Sequence, residues 1–369
     1  MEKGFAMSSR RSEIDFQPLP RDVQRRIAEA FPINRSMVKT EKEGFIISSN
    51  YKNYAKDVYN FPLNSTDVWV VTFPKSGTTW TQEQVWLLAN NLDFESAKVN
   101  LNNRFPFLEM AGLLPEEAVT MIQNDTNNTC ETVRVKEIAK KWENPHKILP
   151  EQDNSSLFKP IATPKEIAAM PSPRFVKTHL PFYLLPPKLL RTCKVVYVAR
   201  NPKDVCVSWY YHHKLIKFQE TKASFEEFMN LFINDEVMFS PYWPQVKAAW
   251  SLRHHPNFLF LFYEDMKSDL IPQLKKISAF LGKQYNDEDY KILKHHLIID
   301  SFKKNPAVNN SELQKFGFFQ TDGSFIREGK TGGWRNHFTP EMNVRFDEWI
   351  EDNSKDTSLV FKYDLESQD

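Results

Sequence analysis

An α/β fold, a single domain with a central, mainly parallel sheet flanked by helices, is what this sequence of 369 residues predicts. Three observations carry that prediction. Apolar, β-branched and aromatic runs recur along the chain with stretches of helical periodicity between them, the pattern of βαβ units. The first such run passes through a short loop of Lys, Ser, Gly and Thr into a helix, a P-loop-like strand, loop and helix suited to an anion. Hydrophobic residues make up 41% of the chain and aromatic residues 14%, ample for one large core.

Taken in order, residues 1–60 read as an N-terminal arm and peripheral segment, and 61–369 as the main domain. Val68-Trp69-Val70-Val71-Thr72 predicts a buried parallel strand. Phe73-Pro74-Lys75-Ser76-Gly77-Thr78-Thr79-Trp80 is the loop, and 81–89 the helix, with apolar residues at helical spacing and no Gly or Pro. Over about 104–170 the periodicity fades, and the polar tract 124–129 is loop-like. A weakly patterned stretch of that length predicts a functional lid or a helical insertion. Arg174-Phe175-Val176-Lys177-Thr178 is the second strand and Lys194-Val195-Val196-Tyr197-Val198-Ala199 the third. Phe258-Leu259-Phe260-Leu261-Phe262-Tyr263 is the fourth, with helices over 202–213 and 270–281. No internal repeat is evident.

A formal charge of +1 leaves no electrostatic footprint for nucleic acid or an anionic membrane, so any anion site must be local. The polar N-terminus and the lack of a long apolar run predict neither a secretory signal nor a membrane span. Three widely spaced cysteines, Cys130, Cys193 and Cys206, fit reduced thiols and a cytoplasmic location, with Cys193 and Cys206 as small core residues. The Asn-x-Ser/Thr triplets at Asn64 and Asn154 are then read as unused.

In the loop, backbone N–H groups and hydroxyls at a helix N-terminus face the ligand while Lys75 adds a full charge. The spacing is not that of a nucleoside-triphosphate loop, which needs an earlier Gly and a Gly-Lys-Ser/Thr triplet. A polar turn with capping Ser and Thr is the bland alternative. A second segment repeats the logic: Arg200 ends a strand, Asn201 can cap the next helix and Pro202 can open it. Arg200 suits bidentate phosphate binding, or else an ion pair with Asp204. Ser208, about two turns on, faces either the ligand or the sheet. A third segment, Arg327-Glu328-Gly329-Lys330-Thr331-Gly332-Gly333-Trp334-Arg335, holds three of the ten glycines and four charges. It is either a surface loop or a cradle of amides over phosphate. Phe73, Phe107 and Phe182 flank these segments, as walls for an apolar ligand or as core.

Together these segments resemble the cytosolic sulfotransferases, which use 3′-phosphoadenosine 5′-phosphosulfate (PAPS) as donor. Residues 73–80 match that family's 5′-phosphosulfate loop, 200–208 its 3′-phosphate segment, and 327–334 its glycine-rich signature. Phe175-Val176-Lys177-Thr178-His179-Leu180-Pro181 matches the segment with the family's catalytic histidine, and Tyr263-Glu264-Asp265-Met266 also matches. The resemblance spans about 52–350. The interval 104–170 is similar to that of insect members, including the retinol dehydratase type.

The resemblance implies transfer of a sulfuryl group from PAPS to the hydroxyl of a small, largely apolar acceptor, a phenol, alcohol, steroid or retinoid-like compound. The product is adenosine 3′,5′-bisphosphate, and no metal is needed. His179 would be the general base, with Lys75 stabilising the leaving oxygen and Lys177 meeting the sulfuryl group or the acceptor oxygen. Ser208 would contact the 3′-phosphate and restrain Lys75. Cofactor contacts would come from Lys75, Ser76, Gly77, Thr78, Thr79, Trp80, Arg200, Ser208, Tyr263, Ser301, Phe302, Arg327 and Gly329. Acceptor contacts would come from Phe73, Phe107, Lys177, His179 and Phe182.

Three positions depart from the pattern. Glu328 replaces a basic residue and would repel the 3′-phosphate if it pointed inward. Asp300 replaces a small hydroxyl residue before Ser301-Phe302. The family's dimer motif is degraded over 335–344, where Thr339 is kept but Pro340 and Val344 break it, so a homodimer by that route is not implied. Two readings from other classes stand beside this one. A nucleotide kinase or hydrolase would need magnesium ligands and triphosphate spacing, and a non-catalytic bisphosphate binder would dispense with His179.

Overall fold

The computed structural model describes residues 14–32, 36–114, 161–217, 220–315 and 319–363. The fold class is the one expected, a parallel sheet flanked by helices. Its strands are β4 (Val68–Thr72), β5 (Phe175–Thr178), β6 (Lys194–Ala199) and β7 (Phe258–Phe262), in the order β5-β4-β6-β7. The even register, Val71 opposite both Thr178 and Tyr197, brings the ends of β4, β5 and β6 to one edge.

Both faces of this sheet are covered, which is why its strands read as continuous apolar runs. Alternate side chains part to opposite sides. Trp69, Val71, Val195, Tyr197 and Ala199 enter one core, whereas Val68, Val70, Val196 and Val198 enter the other. The helix Thr78–Ala89 packs with Leu270–Leu281 on the second face. Asp67, fully buried, joins the starts of β4 and β5: it pairs with Arg174 and accepts that residue's backbone N–H at 2.9 Å.

From β4 the chain crosses to β5 on one side, and from β6 to β7 on the other. The carboxyl ends of β4 and β6 therefore flank a switch point, where open α/β sheets leave a crevice for ligands. The Lys75 loop leaves one of these strands and Arg200 the other.

Residues 14–60, expected as an arm and peripheral segment, hold a second sheet. It is antiparallel, with β1 (Phe16–Pro18), β2 (Met37–Thr40) and β3 (Ile46–Ser48) in chain order. Leu19, Ile27, Val38, Phe45, Ile47 and Tyr51 from this segment belong to the core of Trp69 and Val71. Of the interval 104–170, residues 115–160 lie outside the described residues, the 124–129 tract and Cys130 with them. Its near end is fixed to the sheet, since Leu108 N–H donates to Lys177 O and Lys177 N–H to Pro106 O, each at 2.9 Å. No helix among the described residues is long and apolar enough to cross a membrane.

Candidate active site

The loop after β4 turns sharply. Lys75 has φ 67° and Gly77 φ 96°, both left-handed, and Gly77 is the N-cap of the helix Thr78–Ala89. Glycine is required at 77 twice over, because a Cβ there would stand 2.5 Å from Tyr263 Cδ2. The helix accordingly begins at Thr78 rather than at 81, and its first amides have no carbonyl within the helix to meet. Ser76 is buried, and its Oγ has no hydrogen-bond partner among the described residues.

Across the crevice, Asn201 caps the helix Pro202–Leu215, accepting from Asp204 N–H, with Pro202 in the first turn. Arg200 is buried on the Tyr263 ring, 4.5 Å from guanidinium to centroid. It donates to Lys75 O at 3.1 Å and Lys330 O at 2.8 Å, so one guanidinium ties the two anion loops together. The Asp204 ion pair is looser, at 3.9 Å. Asp204 instead accepts from Gly332 N–H at 2.8 Å and Trp334 N–H at 3.1 Å, fixing the C-terminal glycine loop. Arg327 pairs with Glu328 at 2.6 Å over the Tyr211 ring, so the carboxylate that replaces a basic residue leans on its neighbour. Gly329, at φ 64°, would drive a Cβ to 2.3 Å from Ile299 Cδ1.

His179 sits where β5 meets this crevice, its ring edge-on to Phe107 and Phe239. Nδ1 is 2.8 Å from Thr72 O, and the backbone N–H donates to buried Glu109 at 2.6 Å. Thr178 Oγ1 donates to the same carboxylate at 2.8 Å. Burial, reinforced by Lys177, holds the His179 imidazole well below its usual range. Burial also pushes Glu109 up to about 7 and Lys177 down to about 8. Lys75 falls to about 7, through burial first and then the charges of Lys177, Arg200 and Arg327. Its Nζ is 3.4 Å from His212 Nδ1.

Lys75, Lys177, His179 and His212 line one cavity of about 290 Å³. Lys75, Gly77, Thr78, Thr79, Trp80, Arg200, Ser208, Tyr263, Phe302, Arg327 and Gly329 border it, as do Phe107, Lys177 and His179. Four expected contacts are not among its lining residues. Phe73 is core, edge-on to Tyr242 and Phe232. Phe182 packs against Tyr197 and Phe258 on the sheet. Being next to a motif in sequence does not aim a side chain at its ligand: Phe73 turns into the core just past the end of β4, and Phe182 opens the short 3-10 helix Phe182–Leu184. Ser301 is exposed on the short helix Ile299–Lys304, as is Asp300, and Ser76 is fully buried within the loop. Trp209, next to Ser208, and Tyr211 and His212, one helical turn past it, were not foreseen and line the same cavity. Helical spacing from Ser208 was the signal that would have found the last two.

The donor end fits a doubly charged anion. Three basic side chains, Lys75, Arg200 and Arg327, border the cavity there, and among the described residues Arg200 Nε is buried without a partner. Among the described residues no group of three or more His, Cys, Asp or Glu is placed to hold a metal ion.

A family model described as the sulfotransferase domain matches residues 65–358. Luciferin sulfotransferase of Photinus pyralis is 32% identical, covering 89% of this chain and 82% of its own. Human sulfotransferase 1E1 is 31% identical over 88% of this chain and 96% of its own. Among solved structures, retinol dehydratase in complex with retinol and PAP superposes with a TM-score of 0.81 at 35% identity. The complex of that protein with androsterone and inactive cofactor PAP gives 0.80; each covers 94% of this chain and 98% of its own.

Proposed function

The chain belongs to the sulfotransferase family and is a PAPS-dependent enzyme of sulfuryl transfer, and from that premise we propose that it sulfates the hydroxyl of a small, largely apolar acceptor with His179 as general base. One observation carries the reading. A carbonyl oxygen can only accept, so the proton of His179 lies on Nδ1, facing Thr72 O, and Nε2 keeps its lone pair. Burial keeps the ring neutral. A base in that state can take the acceptor's proton, and Thr72 O then steadies the imidazolium from behind.

When bound, PAPS supplies an activated sulfuryl group with a phosphate leaving group. The 75–79 loop holds the phosphosulfate, with Lys75 against the charge that builds on the bridging oxygen. Lys177 faces the same cavity from β5. Arg200, Ser208 and Arg327 hold the 3′-phosphate, and Trp80 and Phe302 offer aromatic faces to the adenine. The rest of the cavity is mostly apolar, with Phe107, Trp209, Phe239 and Phe325 as walls that exclude water and Asn102, His212, Asn310 and Ser324 as polar points among them. Acceptors of the size of retinol or androsterone suit it, the compounds held by the similar structures.

His179→Ala tests the assignment. Turnover of PAPS with a panel of phenols, steroids and retinoids should fall about a hundredfold or more. Calorimetric affinity for adenosine 3′,5′-bisphosphate should stay unchanged. Full activity in this variant would remove His179 from the role.

A further inference from the structure

We propose that His212 is a positioning residue for the reaction: its Nδ1 accepts a hydrogen bond from the Lys75 ammonium and holds that group at the seam between the anion loop and the apolar chamber. The proposal rests on the functional reading above, in which Lys75 meets the leaving oxygen.

The geometry is specific. Lys75 Nζ lies 3.4 Å from His212 Nδ1 and 4.7 Å over the Phe325 ring. Among the described residues no carboxylate pairs with Lys75, and its Nζ hydrogen-bonds His212 rather than Ser208. The imidazole is itself fixed. It stacks on Trp209 at 5.3 Å with 13° between planes, and Phe319 and Phe325 close on its edges. An imidazole in an otherwise aromatic wall has no packing reason to be there, since a phenyl ring would fill the space with no buried polar atoms. Its polar edge makes sense through Lys75.

The chemistry is consistent with that contact. Burial first, and then the charges of Lys75 and Lys177, keep His212 uncharged. A neutral ring whose Nδ1 accepts from an ammonium carries its proton on Nε2, so the pair is donor to acceptor without like-charge repulsion. A lysine has a long, flexible stem, and a held ammonium loses less freedom in reaching the transition state than a wandering one. The left-handed backbone of Lys75 fixes the root of the side chain, and His212 fixes its tip.

The test uses the whole enzyme with His212→Phe, which keeps the aromatic stack, and His212→Asn, whose Oδ1 falls near the lost Nδ1. Lys75 acetylation by dilute acetic anhydride is followed by mass spectrometry in the absence of substrates. It should speed up at least threefold in His212→Phe and return toward the wild-type rate in His212→Asn. With PAPS and 4-nitrophenol, kcat should fall about tenfold in His212→Phe, with both KM values within about twofold, and recover in His212→Asn. A wild-type labelling rate or an unchanged kcat in His212→Phe overturns the proposal, as does an Asn variant no better than Phe. A protein inactive toward every acceptor would fail the functional reading instead, and the labelling would still decide the contact.

Discussion

At the scale of single residues, the site is a contest between burial and charge. Lys75, at about 7, and Lys177, at about 8, are both held below their ordinary 10.5 chiefly by burial. The folded state therefore binds fewer protons than the unfolded chain between those values and 10.5. Stability from these two lysines is present above the unfolded value and is lost as pH falls through the folded ones. Lys75→Met should raise the denaturant midpoint at pH 7 and flatten its climb toward pH 10. An arriving anion reverses the balance, because a negative charge beside Lys75 favours its charged form. Binding of adenosine 3′,5′-bisphosphate at pH 8 should take up protons, seen as a dependence of the calorimetric enthalpy on buffer ionisation enthalpy. Lys75→Met should remove most of that dependence, and an uptake that survives would move it to another group. Lys75, Lys177, His179 and Arg200 were legible in the sequence because each stands in an unbroken run with its neighbours' roles. His212 was not. It lies within a helix buried on more than one side, where periodicity does not distinguish a wall of the core from a wall of the cavity.

At the scale of elements, the turn from β4 into its helix depends on one glycine. Gly77→Ala must bear a left-handed φ and a contact at 2.5 Å with Tyr263, whereas Gly44, at φ 65°, has nothing within 4 Å. Ala at 44 should cost only the backbone term, about 1–2 kcal/mol. Ala at 77 should cost visibly more in chemical denaturation and weaken the bisphosphate as well. Equal stability losses at the two sites, with binding intact, would show that the Tyr263 contact is slack. The strands of the parallel sheet were readable nearly to the residue, since burial on both faces leaves an unbroken apolar signature. β1 to β3 escaped notice for the opposite reason. They span three or four residues, and a strand such as Phe16–Pro18 is partly exposed and carries no repeat long enough to read.

At the scale of the whole molecule, the donor site is assembled from distant parts of the chain that Arg200 joins. Arg327, paired with Glu328, makes no such bridge among the described residues. The two arginines should therefore differ on substitution. Arg327→Ala should weaken adenosine 3′,5′-bisphosphate by about 1.5–3 kcal/mol and leave adenosine 5′-monophosphate alone. Arg200→Ala should weaken both, because both loops lose their tie. Titration of the two variants with the two nucleotides separates the roles, and selective loss in both would reduce Arg200 to a phosphate contact. Sequence showed both arginines but not this division of labour, which depends on carbonyls that only the folded chain brings within reach. The bridge also bears on how the enzyme is made. A growing chain on the ribosome can complete the β4 loop and even Arg200 long before Lys330 is synthesised, and until then one arm of the guanidinium has no carbonyl to hold. The donor cannot then serve as an early template for folding. A polypeptide severed between these loops should regain nucleotide binding only when its two pieces meet, which makes the donor site a reporter of their reunion.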